Sequence, residues 1–134
     1  MQTFLPYPDF EQSLRCLDKR RLLKQVVEAG QIYNTLINNS KAWSNHPAVL
    51  MWKGYENALA HYHNIAYTVG ISLGINWKVV KPIIIEGEVI LPFWFGNEVF
   101  HNSHKSNLFR KNPIYYQAFN DIGPSLPYFW PVRK

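Results

Sequence analysis

Apolar side chains recur at steps of three and four residues in the first third of the chain, which is the period of one helix face. The repeating positions are Leu22, Val26, Ala29, Tyr33 and Leu36. This stripe predicts a helix from about residue 10 to about residue 38, with Asp9 as its N-cap. Residues 18 and 19 are the candidate point for a bend in that helix.

A second helix is predicted to start at Asn45-His46-Pro47, because a capping side chain followed by proline is typical of a helix N-terminus. It continues through the apolar positions Trp52 and Tyr62 to about Val69, where Gly70 can end it. Trp52 is interpreted as a core residue.

The helical period is lost between residues 71 and 100, where Pro82 and a Glu86-Gly87-Glu88 turn interrupt the apolar runs. A short hairpin and an irregular loop both fit this segment, and we favour the loop. Helix is predicted again from His101 to about Lys111, with a short helix from Ile114 to about residue 119. We expect the aromatic, proline-rich tail of residues 126–131 to pack back across the core.

These elements predict an all-α fold with three main helices, a short C-terminal helix, a long irregular crossover and an aromatic tail. A chain of 134 residues is long enough for one domain, which we place at residues 1–134. The hydrophobic content of 47% argues against disorder. No signal peptide is recognisable, and no stretch approaches the roughly 20 apolar residues of a membrane span. The only cysteine, Cys16, excludes an intramolecular disulfide. We therefore expect a monomeric cytoplasmic protein.

Charge is sparse but unbalanced, with 17% charged residues and a net charge of +5. Basic residues cluster in the first helix and again near the C-terminus. These residues are Arg15, Lys19, Arg20, Arg21 and Lys24, and then Lys105, Arg110 and Lys111. Two basic clusters on a lightly charged chain indicate an anionic partner, with nucleic acid as the leading candidate.

Glu28 shares a helix face with Arg21, Lys24 and Gln25 at helical spacing. Cations on such a face can hold phosphates while the acid lies near a reacting group. A solvated face with ordinary ion pairs explains the same pattern, and the residues alone leave both interpretations open.

The His101-x-x-His104 pair opens the predicted third helix, where it can handle a phosphate or a proton. No cysteine or carboxylate at ligand spacing completes a metal site, so we expect no metal. Phosphate-binding donors follow on the same helix, although a solvated polar face would look alike. They are Lys105, Ser106, Asn107, Arg110 and Lys111. Trp94 lies in a predicted loop and is a candidate to stack on a base.

The segment Leu22-Leu23-Lys24-Gln25-Val26-Val27-Glu28 resembles the first-helix signature of the phage-type pyrimidine-dimer DNA glycosylases, the endonuclease V type. His46-Pro47 and the block His101-x-x-His104-x-x-x-Leu108-x-x-Lys111-x-Pro113 resemble bacterial relatives of that superfamily. The start of the chain, residues 4–10, is similar to a poorly characterised bacterial branch. The resemblance covers most of the chain in the expected order.

The resemblance implies an all-α enzyme without metal or cofactor that acts on damaged or modified double-stranded DNA. The N-terminal α-amine would attack C1′ and form a Schiff base, assisted by Glu28, and β-elimination would then cleave the strand. Because the Gln2 side chain is large, we expect the initiator methionine to be retained, so the amine would belong to Met1. An α-amine has an ordinary pKa of about 7.7–8.0 and is partly neutral at physiological pH.

The predicted catalytic residues are Met1 and Glu28. The predicted DNA contacts are Arg20, Arg21, Lys24, Gln25, His46, Trp94, His101, His104, Lys105, Ser106, Asn107, Arg110 and Lys111. Two alternatives remain open at this stage. One is an N-glycosidase that acts on another modified base or on a nucleoside, and the other is a nucleic-acid-binding protein of the same fold without catalysis.

Overall fold

The computed structural model describes residues 1–41 and 44–132, and within them it is helical with no strand. The helices are α1 (Phe10–Arg15), α2 (Lys19–Ile37), α3 (Pro47–Leu50), α4 (Glu56–Ser72) and α5 (Glu98–Lys111), followed by a 3-10 turn at Gln117–Phe119. The three long helices α2, α4 and α5 confirm the predicted all-α class. In the described part of the chain, no helix is both long enough and apolar enough to cross a bilayer.

The first predicted helix is two helices, because the expected bend is a full break at residues 16–18. Asp9 caps α1 by accepting a hydrogen bond from the Gln12 backbone N–H at 2.7 Å. Asp18 in turn accepts from the Arg21 N–H at 3.3 Å, and this new cap starts α2. The two aspartates therefore set where each helix begins.

The second predicted helix is also divided, into α3 and α4. The start at Pro47 is confirmed, and the His46 Nδ1 atom caps it by accepting from the Ala48 N–H at 3.0 Å. Gly54 interrupts the helix because its φ of +89° lies in the left-handed region, which favours glycine.

The prediction that Gly70 ends this helix is wrong, since α4 continues to Ser72. A Cβ atom on Gly70 would lie 2.7 Å from Cζ2 of Trp77. Gly70 is therefore needed for the close packing of Trp77 against α4.

The core forms where α2 packs across α4, with α1 against the same helix. Leu22, Val26 and Ala29 are buried as predicted, and the buried face of α2 continues at Ile32. Tyr33 and Leu36 are only partly buried at the edge of the core. The aromatic centre includes Trp52 and Tyr62, both fully buried, so the interpretation of Trp52 as a core residue is confirmed.

The crossover between α4 and α5 is an irregular loop, as favoured by the sequence. Asn64 ties it to α4 by exchanging two hydrogen bonds with the backbone of Ile83, at 2.7 and 2.8 Å. Asn57 holds it further along by donating to the carbonyl oxygens of Glu86 and Glu88. These side chains supply the partners that a strand ladder would otherwise provide.

The C-terminal part differs from the prediction at its boundaries. Helix α5 begins at Glu98 rather than at His101, because Asn97 accepts a hydrogen bond from the Phe100 N–H and caps it earlier. The expected short helix from Ile114 is reduced to the 3-10 turn. The tail does pack on the core as predicted, with Tyr128 and Trp130 partly buried against it.

Candidate active site

The first residues of the chain are docked in the interior, and residues 2–6 are buried. Two histidines of α5 clamp this segment at Leu5. The Leu5 N–H donates to His104 Nδ1 at 2.8 Å, and the Leu5 carbonyl oxygen accepts from His101 Nδ1 at 2.7 Å. His101 Nε2 accepts from the Gly96 N–H, which completes its bonding as a neutral ring.

Residues Thr3 and Phe4 are held from the other side of the core. Gln25 on α2 accepts from the Phe4 N–H at 2.7 Å, and the Tyr62 hydroxyl lies 2.8 Å from the same Gln25 oxygen. The Trp52 indole N–H donates to Thr3 Oγ1 at 3.0 Å. Residues from α2, α4, α5 and the α3–α4 link therefore fix the start of the chain in one position.

Glu28 lies beside the first peptide bond. Its Oε2 atom accepts a hydrogen bond from the Gln2 backbone N–H at 2.9 Å, and the side chain is half-buried. Since Gln2 directly follows Met1, this bond brings a carboxylate within one residue of the terminal amine. The arrangement joins a potential nucleophile and a potential proton carrier.

A cleft of about 490 Å³ opens over these two residues. Four cations and three aromatic rings surround the Met1–Glu28 pair in the described part of the chain. The lining residues are Met1, Gln2, Phe4, Arg20, Arg21, Lys24, Gln25, Glu28, Lys111, Tyr128 and Trp130. The cleft thus combines positive charge for an anion with flat apolar rings for a base.

Among the described residues, Arg21 is the one of these four cations that forms an ion pair. Its guanidinium lies 3.0 Å from Asp18, whose carboxylate also accepts a hydrogen bond from the Tyr116 hydroxyl. Burial alone would raise the pKa of Asp18, but the bonds from Tyr116 and Arg21 outweigh it and hold that pKa below its usual value. The ionised aspartate fixes Arg21 in the wall of the cleft.

His46 packs against Trp130, one of the aromatic residues that line the cleft. Its ring meets the ring of Trp130 edge to face, with centroids 5.9 Å apart. Burial lowers the pKa of His46, the positive N-terminal amine lowers it further, and Glu28 partly opposes the change. The imidazole is therefore neutral near pH 7 in this position.

The structure brings together eight of the residues predicted for the site. Met1, Glu28, Arg20, Arg21, Lys24, Gln25 and Lys111 line the cleft, and His46 adjoins it. Gln25 is only 1% exposed, and its contacts position the N-terminal segment. The exposed cations are Arg20, Lys24 and Lys111.

Five other predicted DNA contacts lie in the interior instead. Trp94 is 1% exposed and donates its indole N–H to the Met51 carbonyl oxygen. His101 and His104 hold Leu5, as described. Ser106 Oγ accepts from the Leu126 N–H, and Asn107 donates to the Ser103 carbonyl oxygen. These side chains offer no surface for DNA in this structure, so direct contact does not fit their placement.

Two further predicted contacts, Lys105 and Arg110, lie outside the cleft. The Lys105 ammonium sits 4.9 Å from the ring centre of Tyr7, and the Arg110 guanidinium donates to the Pro124 carbonyl oxygen at 2.8 Å. Both are occupied within the protein. In the described residues, no group of three or more His, Cys, Asp or Glu side chains is arranged to hold a metal ion.

Sequence reasoning missed four residues of the cleft: Gln2, Phe4, Tyr128 and Trp130. Gln2 and Phe4 belong to no periodic pattern. For the tail, the sequence predicted only that it packs on the core. Tyr128 reaches the site because its ring packs against that of Phe4, with centroids 6.5 Å apart. Only a long-range contact of this kind identifies the tail as part of the wall.

The histidine clamp makes stability dependent on pH. Burial, with a smaller contribution from His101, lowers the pKa of His104 to about 3, against an ordinary value near 6.5. The unfolded chain therefore binds a proton below pH 6.5 that the folded chain does not bind until about pH 3. The contribution of His104 to the free energy of unfolding should be fully present above pH 6.5. Below pH 6.5 this one proton should lower the free energy of unfolding by about 1.4 kcal/mol per pH unit.

Urea denaturation at pH 7, 6, 5 and 4 measures this slope. A His104→Asn variant will be less stable at pH 7, but its stability should fall less steeply below pH 6.5, by about one proton. An equal slope in the two proteins would show that His104 does not titrate as described.

One family of known proteins matches this chain. The model of a family described as pyrimidine dimer DNA glycosylase matches residues 1–79, more than half of the 134 residues. Searches of curated proteins and of solved structures give no match. The matched segment carries Met1, Glu28 and the cations of α2, while Lys111 and the aromatic tail lie beyond it.

Proposed function

Since the chain belongs to the pyrimidine dimer DNA glycosylase family, we propose that it is a DNA glycosylase with an associated abasic-site lyase activity. The amine of Met1 is the nucleophile, and Glu28 is the carboxylate that assists it. One observation carries this proposal: Glu28 Oε2 accepts from the Gln2 N–H at 2.9 Å, one residue from the terminal amine, at the base of a cationic cleft.

The chemistry follows from this pair. The lone pair of the amine forms a bond to C1′ while the glycosidic bond breaks and its electron pair leaves on the base. Glu28 stabilises the positive charge that develops on the sugar and accepts the proton that the amine loses. Glu28 passes this proton to the departing base. The C1′–O4′ bond then breaks to open the sugar ring, O4′ takes up a proton from solvent, and the Schiff base forms. The Schiff base acidifies the C2′ proton, and removal of that proton expels the 3′ phosphate by β-elimination.

The exposed cations Arg20, Lys24 and Lys111 contact the phosphates around the target nucleotide. Arg21, held by Asp18, supplies a fixed charge beside them. A base in a duplex must leave the stack before its C1′ can reach the amine, and Phe4, Tyr128 and Trp130 offer aromatic faces to an extruded base.

Because the tail packs on Phe4, we propose that residues 1–134 form one domain.

The phosphate contacts predict a change in salt dependence. A Lys24→Ala variant should bind duplex DNA more weakly and lower the slope of log K against log salt by about one. Fluorescence anisotropy measures the binding constant at salt concentrations from about 50 to about 300 mM, and these values give the slope. Lys81→Ala in the crossover is the matched control and should retain the slope of the unaltered protein. An unchanged slope in Lys24→Ala would mean that Lys24 on α2 does not contact DNA phosphates.

Strand cleavage tests the activity itself. Protein that carries its native N-terminus, without a tag, is incubated with duplexes that contain a thymine dimer, an abasic site or no lesion. The products are separated on a denaturing gel. We expect cleavage at the dimer and at the abasic site, and none in the undamaged duplex. Cleavage at the abasic site alone would support the lyase activity but exclude the dimer as substrate. That result would favour an N-glycosidase that acts on another base. Salt-sensitive binding with no cleavage and no base release would identify a DNA-binding protein without catalysis.

A further inference from the structure

A large apolar side chain is exposed beside the cationic cleft. Ile114 is 86% exposed and lies in the turn that follows α5. Lys111, three residues earlier, lines the cleft. The ring of Tyr116, two residues later, has its centre 5.9 Å from the guanidinium of Arg21, which also lines the cleft. The Cα atom of Ile114 is therefore at most about 11 Å from that of Lys111 and about 7 Å from that of Tyr116.

Hydrogen bonds hold this turn in place. Within it, Asn112 Oδ1 accepts from the Tyr115 N–H at 3.1 Å, and the Asn112 carbonyl oxygen accepts from the Tyr116 N–H at 3.0 Å. The Tyr115 hydroxyl donates to the Leu17 carbonyl oxygen at 3.4 Å. The Tyr116 hydroxyl donates to the carboxylate of Asp18, at the start of α2. The turn is therefore a fixed support, and binding through it requires little ordering of the backbone.

Exposure of one isoleucine is ordinary on a protein surface and indicates no function by itself. Ile84 is an example, because it is 84% exposed in the crossover and is not among the residues that line the cleft. Ile114 differs in its position, since it lies in a supported turn between Lys111 and the ring that packs against Arg21. DNA phosphates held by these cations would bring the duplex up to this turn.

We propose that Ile114 is a wedge that enters the base stack of duplex DNA beside the target nucleotide and fills the space that the extruded base leaves. The inference rests on the proposed function and adds the group that keeps the base out of the stack. Apolar side chains that include isoleucine separate base steps in other DNA-bending proteins. One base step is about 3.4 Å, so the phosphate contact of Lys111 and the wedge fall within about three steps of each other.

The energetics give the wedge a measurable signature. Entry into an intact duplex must unstack a base step, and this cost offsets the gain from removing the isoleucine side chain from water. A duplex that already lacks one base has a gap, so the side chain can enter it without that cost. The protein should therefore bind a gapped duplex more tightly than an intact one, and Ile114 should account for the difference.

Fluorescence anisotropy with two duplexes tests this preference without catalysis. One duplex is intact, and the other carries a tetrahydrofuran residue, which lacks both the base and the C1′ hydroxyl and cannot form a Schiff base. Ile114→Ala should bind the gapped duplex about 10- to 50-fold more weakly than the unaltered protein does. Its binding to the intact duplex should stay within about threefold, because phosphate contacts dominate there. Ile114→Leu should retain most of the preference, and the equally exposed Ile84→Ala is the matched control.

Cleavage supplies a second readout. Ile114→Ala should slow single-turnover cleavage of a thymine-dimer duplex by about 10-fold or more, since the extruded state loses its support. Borohydride trapping on a single-stranded abasic oligonucleotide, which has no duplex stack to open, should stay within about twofold. An equal loss on both substrates would contradict the wedge.

The binding measurement separates failure of the wedge from failure of the proposed function. A protein that prefers the gapped duplex through Ile114 but cleaves nothing would overturn the catalysis and support the wedge. Normal cleavage, with the same preference in Ile114→Ala as in the unaltered protein, would overturn the wedge alone. An equal loss of binding to both duplexes would also overturn it, because Ile114 would then contribute to DNA binding without entering the gap.

Discussion

Replacement of Glu28 by glutamine is expected to slow glycosidic-bond cleavage by at least about 100-fold and to leave the fold intact. The glutamine oxygen can still accept from the Gln2 N–H, so the start of the chain stays in position. The variant loses the negative charge that stabilises the cationic sugar and the group that takes the proton from the amine. Single-turnover rates on a dimer duplex, together with a urea denaturation curve, measure the two effects separately.

Glu11→Gln is the matched control, because Glu11 is an exposed acid on α1 that pairs with Arg15. It should cleave at the rate of the unaltered protein. A Glu28→Gln protein that is folded and cleaves within a few-fold of normal would exclude the carboxylate from the chemistry.

The largest effect on stability is expected at Trp52. Its side chain is fully buried against the rings of Trp94 and Tyr62, with centroids 5.0 and 6.0 Å away, and its N–H holds Thr3. Trp52→Ala should lower the free energy of unfolding by about 3–5 kcal/mol, because it leaves a cavity that the neighbouring rings can only partly fill. Urea denaturation at pH 7 measures the loss.

Trp52→Phe separates packing from hydrogen bonding at this position. It retains an aromatic ring but removes the bond to Thr3 Oγ1, and we expect a loss of about 1–3 kcal/mol. Equal losses in the two variants would mean that the bond to the N-terminal segment, rather than the ring, supplies the stability. A loss below about 1 kcal/mol in Trp52→Ala would contradict the burial described here.

The elements that rest on local pattern could be predicted from the sequence. The buried stripe of α2 follows from helical spacing, and the same spacing places Lys24 and Glu28 on one face. The proline start of α3 and the irregular crossover also follow from nearby residues. The breaks at residues 16–18 and 51–55 are harder to predict, because a helical pattern continues through them and only a cap or a left-handed glycine interrupts it.

The rest of the site depends on contacts between distant parts of the chain. The bond from Leu5 to His104 joins residues 99 positions apart, and nothing local predicts it. His101 and His104 resembled phosphate ligands because a polar pair at a helix start is ambiguous between a surface and a buried clamp. Trp94 lies in a loop, as predicted, but the loop turns its ring into the core. Gln2 and the tail enter the site only through the same docking of the N-terminus.

Borohydride trapping followed by mass spectrometry of the linked peptide tests the central claim most directly. The protein with its native start is reacted with an abasic duplex, reduced and digested, and the modified residue is located by fragmentation. We predict an adduct on the α-amine of Met1, formed much more slowly in Glu28→Gln. An adduct on the side chain of Lys24 or Lys111, the lysines that line the cleft, or no adduct at all, would contradict catalysis by the N-terminal amine.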